Sequence, residues 1–226
     1  MTRNDRREAM RDLFEDATET GAQRGTPAFA PTLLRGFALP VADRLTAELE
    51  RITALAPFRQ MVTPGGYTMS VAMTNCGAVG WVTDRTGYRY DAIDPESRKP
   101  WPPMPAVFRE LATAAAAQAG FDGFVPDACL INRYEPGTKL SLHQDKDEKD
   151  YAAPVVSVSL GLPARFLFGG LERSDPCVKI PLSHGDVIAW GGPARLAFHG
   201  VMPLVDGIHP TLGRQRINLT LRKALR

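Results

Sequence analysis

The second half of the chain is a run of short segments in which apolar and polar residues alternate, and this pattern limits the fold more than any other feature. Alternation of this kind predicts strands that bury one face. We predict eight strands, separated by turns rich in glycine and proline, at residues 128–134, 140–145, 155–160, 165–168, 178–182, 186–190, 196–201 and 216–223. Many short strands at this spacing are typical of sandwiches, barrels and jelly rolls.

Two amphipathic helices are predicted before these strands. Residues 41–56 place Leu45, Leu49 and Ile52 three or four positions apart, and residues 104–119 repeat this helical spacing. Helices followed by strands predict a mainly β fold. We expect a double-stranded β-helix (jelly roll) with the helices buttressing one of its sheets.

Composition fits one globular domain. The chain has 226 residues, of which 44% are hydrophobic and 23% charged. We predict that residues 1–30 form a variable, flexible arm and that residues 31–226 form a single domain with residues 127–223 as its jelly-roll core. A net charge of +2 argues neither for nor against nucleic acid.

Location is predicted from what the sequence does not contain. No secretory signal and no apolar run long enough to span a membrane are present. The three cysteines are far apart and fit a reducing compartment. We therefore expect a cytoplasmic monomer with no membrane partner.

Residues 58–103 differ from the rest of the chain in composition. They hold two of the three tryptophans and three of the five tyrosines, among turns and several arginines. Loops, aromatic residues and basic residues together suggest a recognition lid laid over a scaffold. The alternative is an aromatic cluster packed under long loops. Composition alone does not separate the two, because acidic residues nearly cancel the positive charge.

A candidate metal site begins with His143 and Asp145. Two residues apart on a strand, their side chains point to the same side and can reach one ion. Two imidazoles and one carboxylate leave positions open for a chelating cosubstrate and O₂, the arrangement of non-haem Fe(II) oxygenases. A further imidazole is needed, and the candidates are His184, His199 and His209.

We predict that His199 is the third ligand. It falls on the same face as Ala197, opposite Leu196 and Phe198, whereas His184 lies in a tight turn and His209 in a loop. The 53 residues between Asp145 and His199 provide four or five strands, enough for a jelly roll to bring a late strand beside an early one. A hydrolytic zinc site is the alternative for such a ligand set.

A polar strand face is the candidate for a cosubstrate site. Arg216, Asn218 and Arg222 share one face of the last strand, and its two guanidinium groups start roughly 13 Å apart along the backbone. Such a pair could bind the two carboxylates of a short diacid. Asn132 and Tyr134 share a strand face that leads into the metal segment. An exposed strand edge would show the same alternation, and this strand alone does not separate the two interpretations.

The order of these patterns is N-x-Y, H-x-D, a late His and R-x-N-x-x-x-R. It resembles the AlkB family of Fe(II)- and 2-oxoglutarate-dependent dioxygenases, from about Phe58 to Arg222. The stretches that carry the resemblance are residues 57–77, 127–134 and 140–148. The resemblance implies that Fe(II) is bound by His143, Asp145 and His199.

Further roles are implied by the same resemblance. The residues expected to hold 2-oxoglutarate are Asn132, Tyr134, Arg216, Asn218 and Arg222. The residues expected to bind the nucleotide are Thr63, Tyr67, Met73, Trp81, Tyr88, Asp147 and Arg173. Trp81 would stack on the damaged base opposite His143, Asp147 would contact a base edge, and Arg173 would approach the base or its phosphate.

The activity implied is oxidative demethylation of 1-methyladenine- or 3-methylcytosine-type bases, with O₂ and 2-oxoglutarate as cosubstrates. The substrate would be alkylated DNA, single-stranded by expectation, with RNA as a further possibility. The alternatives are an oxygenase of the same chemistry that acts on a protein or a small molecule, and a non-catalytic nucleic-acid-binding relative. The complete ligand set and both arginines argue against the non-catalytic alternative.

Overall fold

Thirteen strands and two α-helices make up the fold in the computed structural model, which describes residues 30–226. The helices are α1 (Ala42–Leu55) and α2 (Ala106–Gln118). The strands are β1 (Thr32–Leu34), β2 (Arg59–Val62), β3 (Thr68–Gly77), β4 (Gly80–Asp84), β5 (Gly87–Asp91), β6 (Ala128–Tyr134), β7 (Leu140–His143), β8 (Val155–Gly161), β9 (Ala164–Phe168), β10 (Val178–Leu182), β11 (Val187–Trp190), β12 (His199–Val201) and β13 (Arg216–Arg222). The predicted arm over residues 1–30 falls, except for its last residue, outside the described residues.

The strands form two facing sheets and one hairpin. The large sheet has seven strands in the order β1-β11-β8-β13-β6-β3-β2, and the small sheet has four in the order β10-β9-β12-β7. Among the described strands, β4 and β5 pair only with each other. The paired strands of the described chain run antiparallel, and neighbours in a sheet are often distant in sequence. This arrangement is the predicted jelly roll.

The alternation along β13 explains why the large sheet has two buried faces. Ile217, Leu219 and Leu221 are fully buried on the side that also packs Leu45 of α1 and Phe108 of α2. Each such side chain contributes about 1.5–3 kcal/mol when removed from water. The other face of the sheet looks into the space between the sheets. The helices therefore support the sheet from behind and leave its polar face free for chemistry.

The structure confirms the predicted fold class and most of its elements. The predicted bounds of β6 and β10 match, and α1 and α2 begin and end within two residues of prediction. The strand predicted at 196–201 is wrong in its first half, because only His199–Val201 is a strand. A 3₁₀ turn at Gly192–Ala194 precedes it, and the Ala197 N–H donates to the Ala194 carbonyl at 2.9 Å. This turn uses the backbone that a longer strand would need.

Residues 58–103 contain more regular structure than their composition indicates. Strands β2 and β3 extend the large sheet beyond β6, while β4 and β5 form a separate hairpin near the space between the sheets. Gly80 begins this hairpin where a Cβ atom would lie 2.5 Å from the Trp101 ring. Only glycine permits that approach, so the hairpin is packed closely against the sheet. Neither described helix is long and apolar enough to span a bilayer.

Candidate active site

The three residues predicted as metal ligands come together at one edge of the small sheet. His143 ends β7 and lies directly opposite His199, which begins β12. Their ring centroids are 4.4 Å apart. Asp145 lies two residues beyond β7, and the ligand atoms of the three residues all lie within 4.8 Å of one another. The other two candidates, His184 and His209, pack against each other instead, with ring centroids 4.4 Å apart.

The backbone orients both imidazoles for metal binding. Nδ1 of His143 lies 2.9 Å from the Ser141 carbonyl, and Nδ1 of His199 lies 3.0 Å from the Ala197 carbonyl. A carbonyl only accepts, so each Nδ1 carries the hydrogen and each Nε2 keeps its lone pair. These Nε2 atoms face Asp145, at 3.9 Å for His143 and 3.7 Å for His199.

Electrostatics keep the ligands in their metal-binding forms. Burial lowers the pKa of His199 to about 3, and the neighbouring His143 acts in the same direction. Burial alone would raise the pKa of the Asp145 carboxyl, but the positive charge of Arg222 outweighs it and holds that pKa well below its usual range. His199 is therefore neutral and Asp145 ionised near neutral pH. Two imidazole nitrogens and a carboxylate with room for further ligands suit Fe(II).

A cavity of about 650 Å³ opens onto this site. Thirteen of the fifteen residues predicted for the site line it, and the exceptions are Tyr67 and Arg216. Tyr67 follows the Gly65–Gly66 turn and is 78% exposed, so the structure does not bring it to the cavity. A protruding turn carries this side chain outward, and no feature of the sequence distinguishes this from an inward position.

Arg216 lies behind the cavity wall. It is 1% exposed, and its guanidinium carbon lies 5.0 Å from the ring centroid of Tyr134, which does line the cavity. One nitrogen donates to the Ser159 hydroxyl at 2.8 Å, whereas Nε and Nη1 have no hydrogen-bond partner within residues 30–226. Unpartnered donors on a buried cation are costly. They fit an anionic ligand, such as one carboxylate of 2-oxoglutarate.

The two asparagines of the predicted cosubstrate site are fixed by each other. The Asn132 amide donates to Oδ1 of Asn218 at 3.2 Å, and the Asn218 amide donates to the Ser157 hydroxyl at 2.7 Å. Oδ1 of Asn132 has no hydrogen-bond partner in the described part of the chain. The polar face of β6 and β13 therefore forms a preorganised wall of the cavity.

Arg222 differs from the predicted picture of two free arginines. Its Nε and Nη2 donate to both carboxylate oxygens of Asp145, at 2.9 and 2.8 Å, and its Nη1 lies 3.2 Å from the Tyr90 hydroxyl. Arg222 lines the cavity, but an anion of the protein already occupies its fork. The spacing along β13 was sufficient to predict that Arg216 and Arg222 share a face. It could not predict the partner of Arg222, because Asp145 lies in a segment distant in sequence.

The hairpin places aromatic side chains over the same cavity. The Trp81 ring stacks on Tyr88, with centroids 5.7 Å apart and planes 22° apart. Asn75 fixes the Trp81 backbone with two hydrogen bonds of 3.0 Å. The indole N–H donates to Oδ2 of Asp147 at 2.8 Å, which joins the hairpin to the segment that follows the metal ligands.

The remaining predicted residues also reach the cavity. Thr63 and Met73 line it beside the hairpin. Arg173 approaches from the opposite side, where it donates to the Leu142 carbonyl at 2.8 Å and lies 5.0 Å from the Phe198 ring centroid.

Two buried charged residues and one half-buried tyrosine beside the metal site, among the residues that the structure describes, were not predicted. They are Tyr90, Glu148 and Arg195, which contact one another or Arg222. Glu148 follows the H-x-D segment closely, and its position was the one available signal. Arg195 lies in a Gly- and Pro-rich turn, where an arginine is usually exposed.

Fold and site together define a non-haem iron oxygenase. The chain belongs to the 2OG-Fe(II) oxygenase superfamily, which it matches over residues 32–222. It is 56% identical over 215 residues to the alpha-ketoglutarate-dependent dioxygenase AlkB of Escherichia coli (strain K12), covering 95% of this chain and 98% of the relative. It is also 47% identical over 170 residues to the AlkB homolog of Caulobacter vibrioides (strain NA1000 / CB15N), covering 75% of this chain and 76% of the relative. These matches confirm the predicted resemblance and the use of Fe(II) and 2-oxoglutarate.

A solved structure agrees with the sequence relatives. The structure of OsALKBH1 superimposes with a TM-score of 0.72 at 28% identity, covering 85% of this chain and 97% of that one. The match to the E. coli protein is longer than the predicted stretch from Phe58 to Arg222. Because it covers 95% of the chain, it extends into residues 1–30.

Proposed function

We propose that this chain removes alkyl groups oxidatively from N-alkylated bases of DNA, of the 1-methyladenine and 3-methylcytosine type, in direct repair of alkylation damage. The observation that carries the proposal is the position of Trp81, an aromatic wall on the same cavity as the metal ligands. A flat base can enter between Trp81 and His143 with its alkyl group toward the metal. The similarity to AlkB over nearly the whole chain supports the same activity.

Cosubstrate binding follows from the polar wall of the cavity. Arg216 pairs with the carboxylate remote from the metal, and its two donors without a partner among the described residues support this assignment. Arg222, beside Asp145, supplies positive charge near the carboxylate at the metal. Asn132 and Tyr134 add neutral hydrogen-bonding groups between these ends. When bound, Fe(II) with O₂ and 2-oxoglutarate supplies oxidation of the alkyl C–H bond, after which formaldehyde leaves the base nitrogen.

Asp147 has two functions in base recognition, one for each carboxylate oxygen. Its Oδ2 accepts from the Trp81 indole and keeps that ring in place. Its Oδ1 remains available to accept from an exocyclic amino group, which adenine and cytosine both carry. Methylation at N1 of adenine or N3 of cytosine makes the base cationic. The negative charge of Asp147 therefore favours the methylated base over the unmethylated one.

The substrate is single-stranded DNA, because the base must leave the base stack to enter the cavity. An alkyl group on a pairing nitrogen already prevents Watson–Crick pairing, which lowers the cost of extruding the base. Lys139, Lys146 and Arg173 line the cavity and offer positive charge to phosphates. The protein acts in the cytoplasm and as a monomer.

The test is formaldehyde release from a defined oligonucleotide. The full chain, reconstituted with Fe(II), ascorbate and 2-oxoglutarate, should release formaldehyde from a single-stranded oligonucleotide with one 1-methyladenine, and mass spectrometry should show the loss of one methyl group. Unmethylated oligonucleotide and free 1-methyladenosine are the matched controls, and RNA of the same sequence measures the preference between DNA and RNA. Succinate formation without formaldehyde would favour a protein or small-molecule substrate. Absence of both products would favour a non-catalytic protein.

A further inference from the structure

A buried group of charges surrounds Glu148, next to the metal ligands. The Glu148 side chain is 1% exposed and lies between two arginines, with Oε2 3.1 Å from Nη2 of Arg195 and Oε1 3.5 Å from Nε of Arg222. The Tyr90 hydroxyl, on the hairpin, donates to Oε1 at 2.6 Å. Burial raises the pKa of Tyr90, so the phenol keeps its proton and remains a donor.

Both arginines hold the same metal ligand, at different atoms. Arg222 donates to the two carboxylate oxygens of Asp145. Arg195 donates from Nη1 to the main-chain carbonyl of Asp145 at 2.8 Å, and from Nε to the Ala153 carbonyl at 3.0 Å. Asp145 lies beyond the last residue of β7 and is outside the sheet ladder. Its backbone and its side chain are therefore each fixed by one arginine.

The charges in this group balance. Asp145 and Glu148 supply two negative charges, and Arg195 and Arg222 supply two positive charges, all on side chains that are at most 7% exposed. Without Glu148, two buried guanidinium groups would compete for one carboxylate. A buried cation that loses its partner reorganises or admits water, since an unpaired buried charge is strongly unfavourable.

We propose that Glu148 is a positioning residue of the metal centre, which keeps Arg195 on the main chain of Asp145 and Arg222 on its carboxylate. Tyr90 assists by donating a hydrogen bond from the hairpin to Glu148. Glu148 touches neither the metal nor the substrate. The inference rests on the assignment of the three metal ligands within the proposed function, and it is independent of the nucleic-acid substrate.

The experiment is a Co(II) titration of the metal-free full chain. Calorimetry measures the affinity, and the visible spectrum reports the environment of bound Co(II). Glu148→Gln keeps the size of the side chain and removes its charge. We expect Co(II) affinity to fall by about 10- to 100-fold, the effect typical of residues that orient metal ligands. Tyr90→Phe keeps all the charges and removes one hydrogen bond, and should weaken Co(II) binding on the order of fivefold.

The matched control is another buried carboxylate outside the site. Asp186 is 3% exposed and pairs with Arg35 at 2.6 Å, so Asp186→Asn should lower thermal stability and leave Co(II) affinity and spectrum unchanged. This control separates positioning from a general loss of stability.

Either of two results would overturn the role of Glu148. One is a folded Glu148→Gln protein that binds Co(II) as tightly as the unsubstituted protein does. If that variant does not fold by circular dichroism, unchanged Co(II) affinity in Tyr90→Phe overturns the role instead. If the original protein releases no formaldehyde from methylated DNA, the substrate proposal fails, and the Co(II) titration still decides the role of Glu148.

Discussion

Replacing Arg216 by methionine should separate cosubstrate binding from stability. The substitution keeps an extended side chain and removes the charge together with two donors that have no partner in the structure. We expect 2-oxoglutarate affinity to fall sharply. We also expect the ligand-free protein to be as stable as the original or more stable, because a buried and incompletely paired cation is removed.

The size of the effect follows from the two free donors of Arg216. Hydrogen bonds to charged groups contribute about 1.5–3 kcal/mol each, so two bonds from the Arg216 guanidinium to a carboxylate are worth about 3–6 kcal/mol. This corresponds to roughly a 10²- to 10⁴-fold increase in the dissociation constant of 2-oxoglutarate. The bond from Arg216 to Ser159 is lost in the same variant, which offsets part of the gain in stability.

The assay is anaerobic calorimetry of 2-oxoglutarate binding to the Mn(II)-loaded protein, with thermal unfolding of the ligand-free protein measured in parallel. Arg214→Met is the matched control, because Arg214 lies two residues earlier, is exposed and pairs with Asp206 on the surface. It should leave the dissociation constant unchanged. An unchanged constant in Arg216→Met would refute the reasoning, as would a loss of binding that only accompanies a fall in thermal stability.

Three further predictions address the metal, the base pocket and pH. His143→Ala should abolish 2-oxoglutarate turnover, measured as succinate, and full turnover with Fe(II) would contradict the metal assignment. Trp81→Ala should weaken demethylation of an oligonucleotide and spare the slow 2-oxoglutarate consumption without substrate; equal loss of both would mean that Trp81 is a core residue. Burial lowers the pKa of His184 from 6.5, and His209 acts in the same direction. The unfolded chain then binds this proton more tightly than the folded one, so stability should fall as pH drops below about 6.5, and His184→Gln should reduce that fall in thermal unfolding curves.

Local alternation was sufficient to predict much of the β-sheet. Strand β6 has the predicted bounds because its two faces meet different surroundings, the helices on one side and the cavity on the other. Strand β12 is shorter than predicted, because the apolar residues Leu196, Ala197 and Phe198 fit a strand pattern whether or not the backbone is free to pair. Periodicity reports which face is buried and carries no information on a preceding turn.

The metal ligands could be predicted and their supporting charges could not. His143 and Asp145 are close in sequence, and His199 could be chosen among few histidines. The pairing of Arg222 with Asp145 and the position of Glu148 depend on how β13 packs beside the segment after β7, which no local pattern records. Exposure of Tyr67 has the same origin, since it depends on the path of one turn.

Because of the position of β7, a bound metal ion would also hold two strands of the small sheet together. Strand β7 is at the edge of the small sheet and, of the strands that the structure describes, pairs only with β12. An ion held by His143, Asp145 and His199 cross-links the edge strand to its neighbour across the 53 residues between Asp145 and His199. Loss of the ion removes this cross-link and leaves β7 held by a short ladder. Detachment of β7 would expose the backbone of β12, and an unpaired strand edge can pair with strands of other chains.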